Sequence, residues 1–363
     1  MNNNKPHHAV AIMAGGIGSR FWPKSRTALP KQFLDILNQG QTLIQSTFTR
    51  FNSYIAVQNI YIITSLEYKH LVQQQLPLLP VENILCEPAR KNTAPCIAYI
   101  TYKLMAQNPN IILTCAPADH FIVDTQAFEA LNKKAVDFAH SIASIVTIGI
   151  KPTHPNTGYG YIQQQTKEAV PGIYQVKLFT EKPDLDLAKT FVDSGEFLWN
   201  GGIFTFKLKT MVQAFEQFLP EVHDVFFADM QYFNTPLENA AIQKIYPQCT
   251  NLSIDFGIME KVKNAYVIPG SFGWSDLGTW ASAYDNLEKD YYENAVVGNN
   301  VIIYDATKNV IQAPNNKLVL IQGLQNYIVV DTPDVLLICE KSKEQEIKAY
   351  VAEVKRSRGD KFL

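Results

Sequence analysis

An α/β fold with a mixed central sheet, followed by a small β-rich C-terminal domain, is predicted for this 363-residue chain by three observations. Up to Ile150, apolar runs of strand length alternate with amphipathic runs of helix length, the pattern of a parallel sheet covered by helices. From Gly158 to Phe206 the pattern loosens into hairpin-like pieces rich in glycine and aromatics, which adds antiparallel strands. From Ala295 to Cys339 short β-rich runs are broken by Asn, Gly and Asp-Thr-Pro. The expected division is 1–290 and 291–363. No repeat is regular enough to predict a long solenoid, but a short β-helix fits within 295–339.

The elements follow in order. Ala9 to Met13 is a buried strand, and a polar lead-in, Met1 to His8, precedes it. Helix is expected over Thr42 to Phe51, Tyr68 to Leu76, Ala94 to Ala106 and Phe128 to Ala143. Strands are expected at Ile60 to Thr64, Asn83 to Cys86, Ile111 to Ala116 and Ile145 to Ile150. Lys341 to Arg358 reads as an exposed amphipathic helix with Ile347, Val351 and Val354 on one face, stopping near Gly359.

Composition narrows the function. A hydrophobic content of 47% supplies a core without staples, and Lys+Arg 32 against Asp+Glu 34 leaves no basic field for nucleic acid. Five cysteines without a C-x-x-C argue against a zinc site or a disulfide framework and point to a reducing, cytoplasmic setting. No apolar run approaches about 18 residues, so neither a signal peptide nor a membrane span is expected.

The chemistry concentrates first in Ala14 to Phe33. Gly15, Gly16 and Gly18 leave the first strand, where glycine permits positive φ and close backbone approach, so bare N–H groups can cradle phosphate oxygens. Arg20, Lys24, Arg26 and Lys31 follow with no acid among them. That contrast predicts a polyphosphate site, against the plainer reading of a tight turn with a solvated basic loop. Phe21 stands where a dinucleotide fingerprint needs its third glycine, and no P-loop run occurs, so neither a dehydrogenase nor a P-loop kinase fits.

Two carboxylates are candidate Mg²⁺ ligands. Asp119 follows a strong strand, where open α/β sheets place ligands, and Asp276 lies among small residues between Trp274 and Trp280. The plainer readings are a turn cap for Asp119 and a helix N-cap for Asp276 ahead of Leu277 to Tyr284. Glu181-Lys182 and Asn200, in Trp199-Asn-Gly-Gly, read as sugar-binding pieces, since a carboxylate or amide can serve two hydroxyls and a lysine a phosphate. Without their neighbours, Glu181 and Lys182 would pass for an exposed ion pair. Glu87 to Pro95 joins a strand to a helix and can read a base edge, although capping alone accounts for Asn92 or Thr93. His120 fits a supporting hydrogen bonder as well as a catalyst.

The run Gly15-Gly-x-Gly-x-Arg-Phe-Trp-Pro-x-Ser-Arg-x-x-x-Pro-Lys-Gln-Phe33, with Glu87-Pro to Thr93-Ala-Pro, Pro117-x-Asp-His, Gly158-Tyr-Gly-Tyr-Ile162, Phe179-x-Glu-Lys-Pro183, Trp199-Asn-x-Gly-Ile203 and Phe272-Gly-Trp-Ser-Asp-x-Gly-x-Trp280, resembles the mannose-1-phosphate guanylyltransferases. The likeness covers about residues 8 to 285, in order. It implies a Rossmann-like nucleotidyltransferase domain and Mg²⁺-dependent transfer of GMP from GTP to mannose 1-phosphate, giving GDP-mannose and pyrophosphate. It further implies that Arg20, Lys31 and Lys24 are catalytic, and that Asp119 and Asp276 hold the metal. Ala14, Gly15, Gly16, Gly18, Ser19, Glu87, Asn92, Thr93 and Ala118 would bind nucleotide; Gly160, Glu181, Lys182 and Asn200 would bind the sugar phosphate. A homodimer through the β-rich piece is a family-level expectation. Gly201 stands where the family usually has serine, and Lys91 and Cys96 vary the Glu-Pro segment. With no histidine after His223, the isomerase activity of longer bifunctional relatives is not expected. Another sugar 1-phosphate, another nucleotide, or a non-catalytic GDP-mannose-binding subunit are the alternatives left open.

Overall fold

A computed structural model describes residues 7–363; most of the expected lead-in lies outside them, and His8 already opens the first strand. The chain divides into two compact units. The first contains residues up to Gly15, Phe48–Pro117 and Ile122–Trp274, and the second Gly16–Thr47, Ala118–Phe121 and Ser275–Leu363.

The first unit is built on nine strands: β1 (His8–Ala14), β2 (Ile60–Ser65), β3 (Ile84–Glu87), β4 (Ile112–Pro117), β5 (Ile145–Ile150), β6 (Gly160–Val170), β7 (Ile173–Glu181), β8 (Phe197–Lys207) and β9 (Ala265–Gly270). Their order is β3-β2-β1-β4-β8-β5-β9-β7-β6, with β8 also pairing β6. Pairings among β1 to β4 are parallel, whereas β8 runs antiparallel to both β4 and β5. The sheet is therefore mixed, as expected. Val10, Ile12, Ile62, Ile63 and Leu113 are fully buried, so the near-continuous apolar runs come from strands covered on both faces.

Caps set the helix starts, and the helix expected from Phe128 begins earlier, at Thr125. Asn92 accepts the N–H of Thr93 at the start of Thr93–Gln107, and Asp124 caps Thr125–Ser141. Between residues 207 and 264 the sequence pattern singles out no element, yet Leu208–Phe218, Pro220–Ala228 and Glu238–Ile245 are helices. They are short and aromatic-rich, and their register is set by packing: Tyr102 stacks on Phe226 at 5.7 Å, and Phe215 and Tyr246 enter the same core.

In the second unit, three parallel layers form the short β-helix that the sequence allowed. Ala295–Val297 pairs with Val310–Gln312, which pairs with Tyr327–Asp331; Val301–Tyr304 pairs with Val319–Gln322. Buried Asn294 and Asn309 form an internal ladder. Asn309 Nδ2 donates to Asn294 Oδ1 at 2.9 Å and Asn309 Oδ1 accepts from Tyr327 N–H at 2.8 Å, so the polar groups of the turns are satisfied inside the coil. Ile347–Arg358 is the C-terminal helix, with Ile347 buried and Gly359 closing it at φ 71°. Among the described residues no helix is long and apolar enough to cross a membrane.

Candidate active site

The glycine-rich loop is shaped by one close approach. Gly18 has φ 69°, and a Cβ there would sit 2.4 Å from the Lys31 Cβ, so both its conformation and its packing exclude a side chain. Gly18 caps the short helical turn Ser19–Phe21, which presents Arg20. Gly16 has open space where its Cβ would be.

Lys31 is the centre of this unit's charged cluster. Its side chain is nearly buried, and Nζ reaches Asp119 Oδ2 at 2.8 Å and the carbonyl oxygens of Asp276 and Leu277, each at 2.9 Å. Three donors meet three acceptors, so one ammonium ties the Asp119 turn to the Asp276 turn. Burial raises the Asp119 pKa, but the charges of Lys31 and His120 and the Lys31 hydrogen bond outweigh it and hold the carboxyl below its ordinary value. Asp276 does not cap the following helix: Thr279 does, in a capping box with Ser282, and that helix starts at Trp280. Instead Asp276 Oδ1 accepts from Gly278 N–H at 2.9 Å, and a Cβ on Gly278 would lie 2.6 Å from Oδ2. Leu277, wholly buried, is held at φ 43°, a strained value for a branched side chain and one that occurs where surrounding structure enforces it.

The donor set fits a hard divalent cation. Asp119 and Asp276 supply oxygen donors on fixed turns, and no group of three or more His, Cys, Asp or Glu suited to a metal occurs among the described residues. Such a pair leaves the remaining coordination positions to substrate phosphates and water.

Two of the four loop cations have other work. Lys24, expected among the catalytic groups, donates to Gln312 Oε1 at 2.8 Å and to the Asp35 carbonyl at 3.0 Å. Arg26 engages Asp334 at 2.7 Å through Nη1 and Thr332 through Nη2. Both fasten the loop to the β-helix, and a sequence cannot distinguish an anchoring cation from a phosphate-binding one. Ser19 lies in the Ser19–Phe21 turn, and Ala118 is buried with its carbonyl accepting from Thr47 Oγ1 at 3.1 Å.

The sugar-side residues assemble in the first unit. Glu181 and Gly160 face each other across the β6–β7 pair, and Asn200 lies on β8 beside a register shift between Thr147 and Gly149. A Cβ on Gly160 would stand 2.6 Å from Glu181 Oε2 and 3.3 Å from the Asn200 Cβ. Lys182, at φ 46°, bonds Glu181 Oε1 at 2.5 Å; the Glu181 side chain is 6% exposed and that of Lys182 56%. The carboxylate of the pair is therefore buried while its lysine faces solvent. Asn200 is locked: Oδ1 accepts from Thr147 Oγ1 at 3.0 Å and Gly202 N–H at 3.1 Å, while Nδ2 donates to Asp255 Oδ1 at 3.0 Å.

Asp255, the partner of Asn200, sits in a π-helical turn, Asp255–Met259, that no periodicity announces. Desolvation and the neighbouring Glu181 charge push its pKa up to about 7. Gly201 also has a local reason: a Cβ there would come within 2.8 Å of the Ile148 carbonyl, so serine would require the strands to move. Gly160→Ala should displace the Glu181 carboxylate and weaken the β6–β7 pair, read as a lowered midpoint in thermal unfolding.

Glu87, at the end of β3, is buried, and burial raises its pKa to about 7 despite a 3.0 Å hydrogen bond from Tyr246 Oη. Its Oε2 lies 3.5 Å from where a Gly15 Cβ would be, so the first glycine of the loop borders this carboxylate. The carbonyl of Ala14 accepts from Thr64 Oγ1 at 2.9 Å. Asn92 and Thr93 have structural duties, Asn92 as the cap and Thr93 Oγ1 as acceptor for Ile254 N–H at 2.9 Å.

Comparison with known proteins identifies the family. The nucleotidyl transferase family model matches residues 9–293, and a model for the MannoseP isomerase/GMP-like β-helix domain matches 298–354. A mannose-1-phosphate guanylyltransferase of Escherichia coli is 34% identical, with 94% of this chain and 74% of the relative covered. Mannose-1-phosphate guanylyltransferase RfbM of Salmonella typhimurium is 35% identical over 95% of this chain and 72% of its own length. A crystal structure described as mannose-1-phosphate geranyltransferase from Thermus thermophilus superposes with a TM-score of 0.85 at 27% identity, covering 96% of this chain and 99% of that one. The chain belongs to the nucleotidyl transferase family, in its mannose-1-phosphate guanylyltransferase branch.

Proposed function

We propose that the protein transfers GMP from GTP to mannose 1-phosphate, forming GDP-mannose and releasing pyrophosphate. The observation that carries this reading is the Lys31 clamp on Asp119 and Asp276, set beside a glycine turn that presents Arg20. The phosphate monoester has its second pKa near ~6, so its oxygen is already largely dianionic at neutral pH and no general base is required. The barrier is then the approach of two anions, and catalysis is alignment and charge neutralisation.

In this reading Gly15, Gly16 and Gly18 offer backbone N–H groups to the triphosphate, and Arg20 takes up negative charge on it. Asp119 and Asp276 hold Mg²⁺, which supplies charge neutralisation at the phosphates. Lys31 keeps the two acidic turns in place. Lys182 receives the sugar phosphate, and Glu181 and Asn200 receive hydroxyls, with Gly160 giving them room. The residues 1–290 act as the catalytic domain and 291–363 as a β-rich domain that pairs two copies, in the cytoplasm.

Glu87 suits the guanine edge, whose N1–H and N2–H₂ are adjacent donors that a carboxylate can accept together. Only ionised Glu87 can do so, and its pKa of about 7 sets the window. Guanine binding is therefore at full strength above pH 7 and is lost as pH falls through it: the KM for GTP should rise about tenfold from pH 8 to pH 6. Glu87→Gln should show a raised KM at both pH values with little pH dependence, which separates this titration from that of GTP itself.

The defining experiment measures pyrophosphate release with Mg²⁺, pairing GTP or ATP with mannose 1-phosphate or glucose 1-phosphate. Release with GTP and mannose 1-phosphate alone is expected. Preference for another pair would change the substrates and keep the mechanism, while GDP-mannose binding without turnover would make the protein a regulatory subunit.

A further inference from the structure

To serve as a phosphate fork, Arg20 has to be aimed. It leaves the Ser19–Phe21 turn on a long flexible stem, and among the described residues its only hydrogen bond runs from Nε to Gln345 Oε1, at 2.9 Å. Gln345 belongs to the helical turn Lys341–Glu346 that joins the β-helix to the C-terminal helix. The same turn makes a second attachment: Glu344 Oε2 accepts the N–H of Ala281 at 2.8 Å, in the first turn of the helix that follows Asp276. A third lies close by, where Trp22 Nε1 donates to the Phe362 carbonyl at 2.8 Å.

We infer that Gln345 is a positioning residue for the triphosphate, acting through Arg20 from a C-terminal segment that fastens the loop of Arg20 and the turn of Asp276 together. This rests on the glycine-rich loop being the triphosphate site. A guanidinium has five N–H donors, and anchoring Nε leaves both Nη groups as a fork matched to two phosphate oxygens. The anchor also restricts the rotamers of a side chain that would otherwise lose that freedom on binding. The amide matters as much as its place. The Glu344 carboxylate of the same turn already interacts with the Arg20 charge; a neutral acceptor at Gln345 orients the guanidinium without adding a second one, whereas a carboxylate there would form a direct ion pair and compete with the phosphates.

The test is a double-mutant cycle in the full-length protein. GTP affinity is measured by calorimetry, and pyrophosphate release in parallel, for the parent, Arg20→Ala, Gln345→Met and the double variant, with Gln345→Glu beside them. Gln345→Met keeps length and loses the acceptor, and should weaken GTP about threefold to tenfold with the KM for mannose 1-phosphate unchanged. Gln345→Glu should weaken GTP further, the more so at low salt. In the Arg20→Ala background Gln345→Met should have no effect, because its only route to the nucleotide is gone. A merely structural residue would give additive losses in both backgrounds; additivity, or a Gln345→Glu variant that binds GTP as well as the parent, overturns the inference. GTP binding with the expected coupling but no pyrophosphate release would overturn the proposed reaction and leave the positioning role standing. A parent that does not bind GTP overturns both.

Discussion

Asp276→Asn is expected to keep the fold and lose about 10²- to 10³-fold in GMP transfer, the scale of removing one strong transition-state electrostatic contact. Asparagine retains an Oδ1 that can accept from Gly278 N–H, so the turn preceding Thr279 survives, while the charge that would face a divalent cation is gone. Thermal unfolding of the variant should match the parent, and stopped assays of pyrophosphate release should separate the two by orders of magnitude. An active variant would remove Asp276 from the metal role, and an unfolded one would make its contribution structural.

Lys31→Ala is expected to damage stability and catalysis together. If Lys31 served only the triphosphate, its loss would slow turnover and leave the unfolding midpoint untouched. Instead its ammonium satisfies the Asp119 carboxylate and two backbone carbonyls at 2.8 to 2.9 Å from a site that is 5% exposed. Truncation leaves those acceptors unpaired, at a cost of about 3 kcal/mol, and releases the Asp119 and Asp276 turns from each other. Urea denaturation should report the stability loss and single-turnover kinetics a loss of about 10²-fold or more in transfer. Lys31→Arg should not restore the parent, since a planar fork cannot point at three acceptors arranged around one nitrogen. Unchanged stability in Lys31→Ala would return Lys31 to a direct role on phosphate.

The two cases mark where sequence reasoning reaches its end. The loop Gly15 to Lys31 reads as anion-binding in the sequence because glycines and cations without acids are the residue types that bind phosphate. Which cation does what is not legible: Lys24 and Arg26 hold the β-helix, Arg20 is oriented by Gln345, and Lys31 joins two acidic turns. The hydrogen-bond partners Asp276, Gln312, Asp334 and Gln345 lie from 245 to 325 positions away in the chain. Asp255 escaped for a related reason. Its neighbours in sequence carry no motif, and its meaning comes from Asn200, 55 positions away, and from the charge of Glu181.

By itself the sequence determined the alternation that builds a mixed sheet, the cap at Asn92, the β-rich C-terminal piece, and the family to which the chain belongs. These are local matters of periodicity, capping and backbone freedom, each decided within a few residues. Only the tertiary structure decided the helices between 207 and 264, whose register is set by aromatic packing, and the division of labour among the loop cations. A charge acquires its role from the groups that long-range folding brings within about 3 Å of it, and spacing along the chain carries no record of that distance.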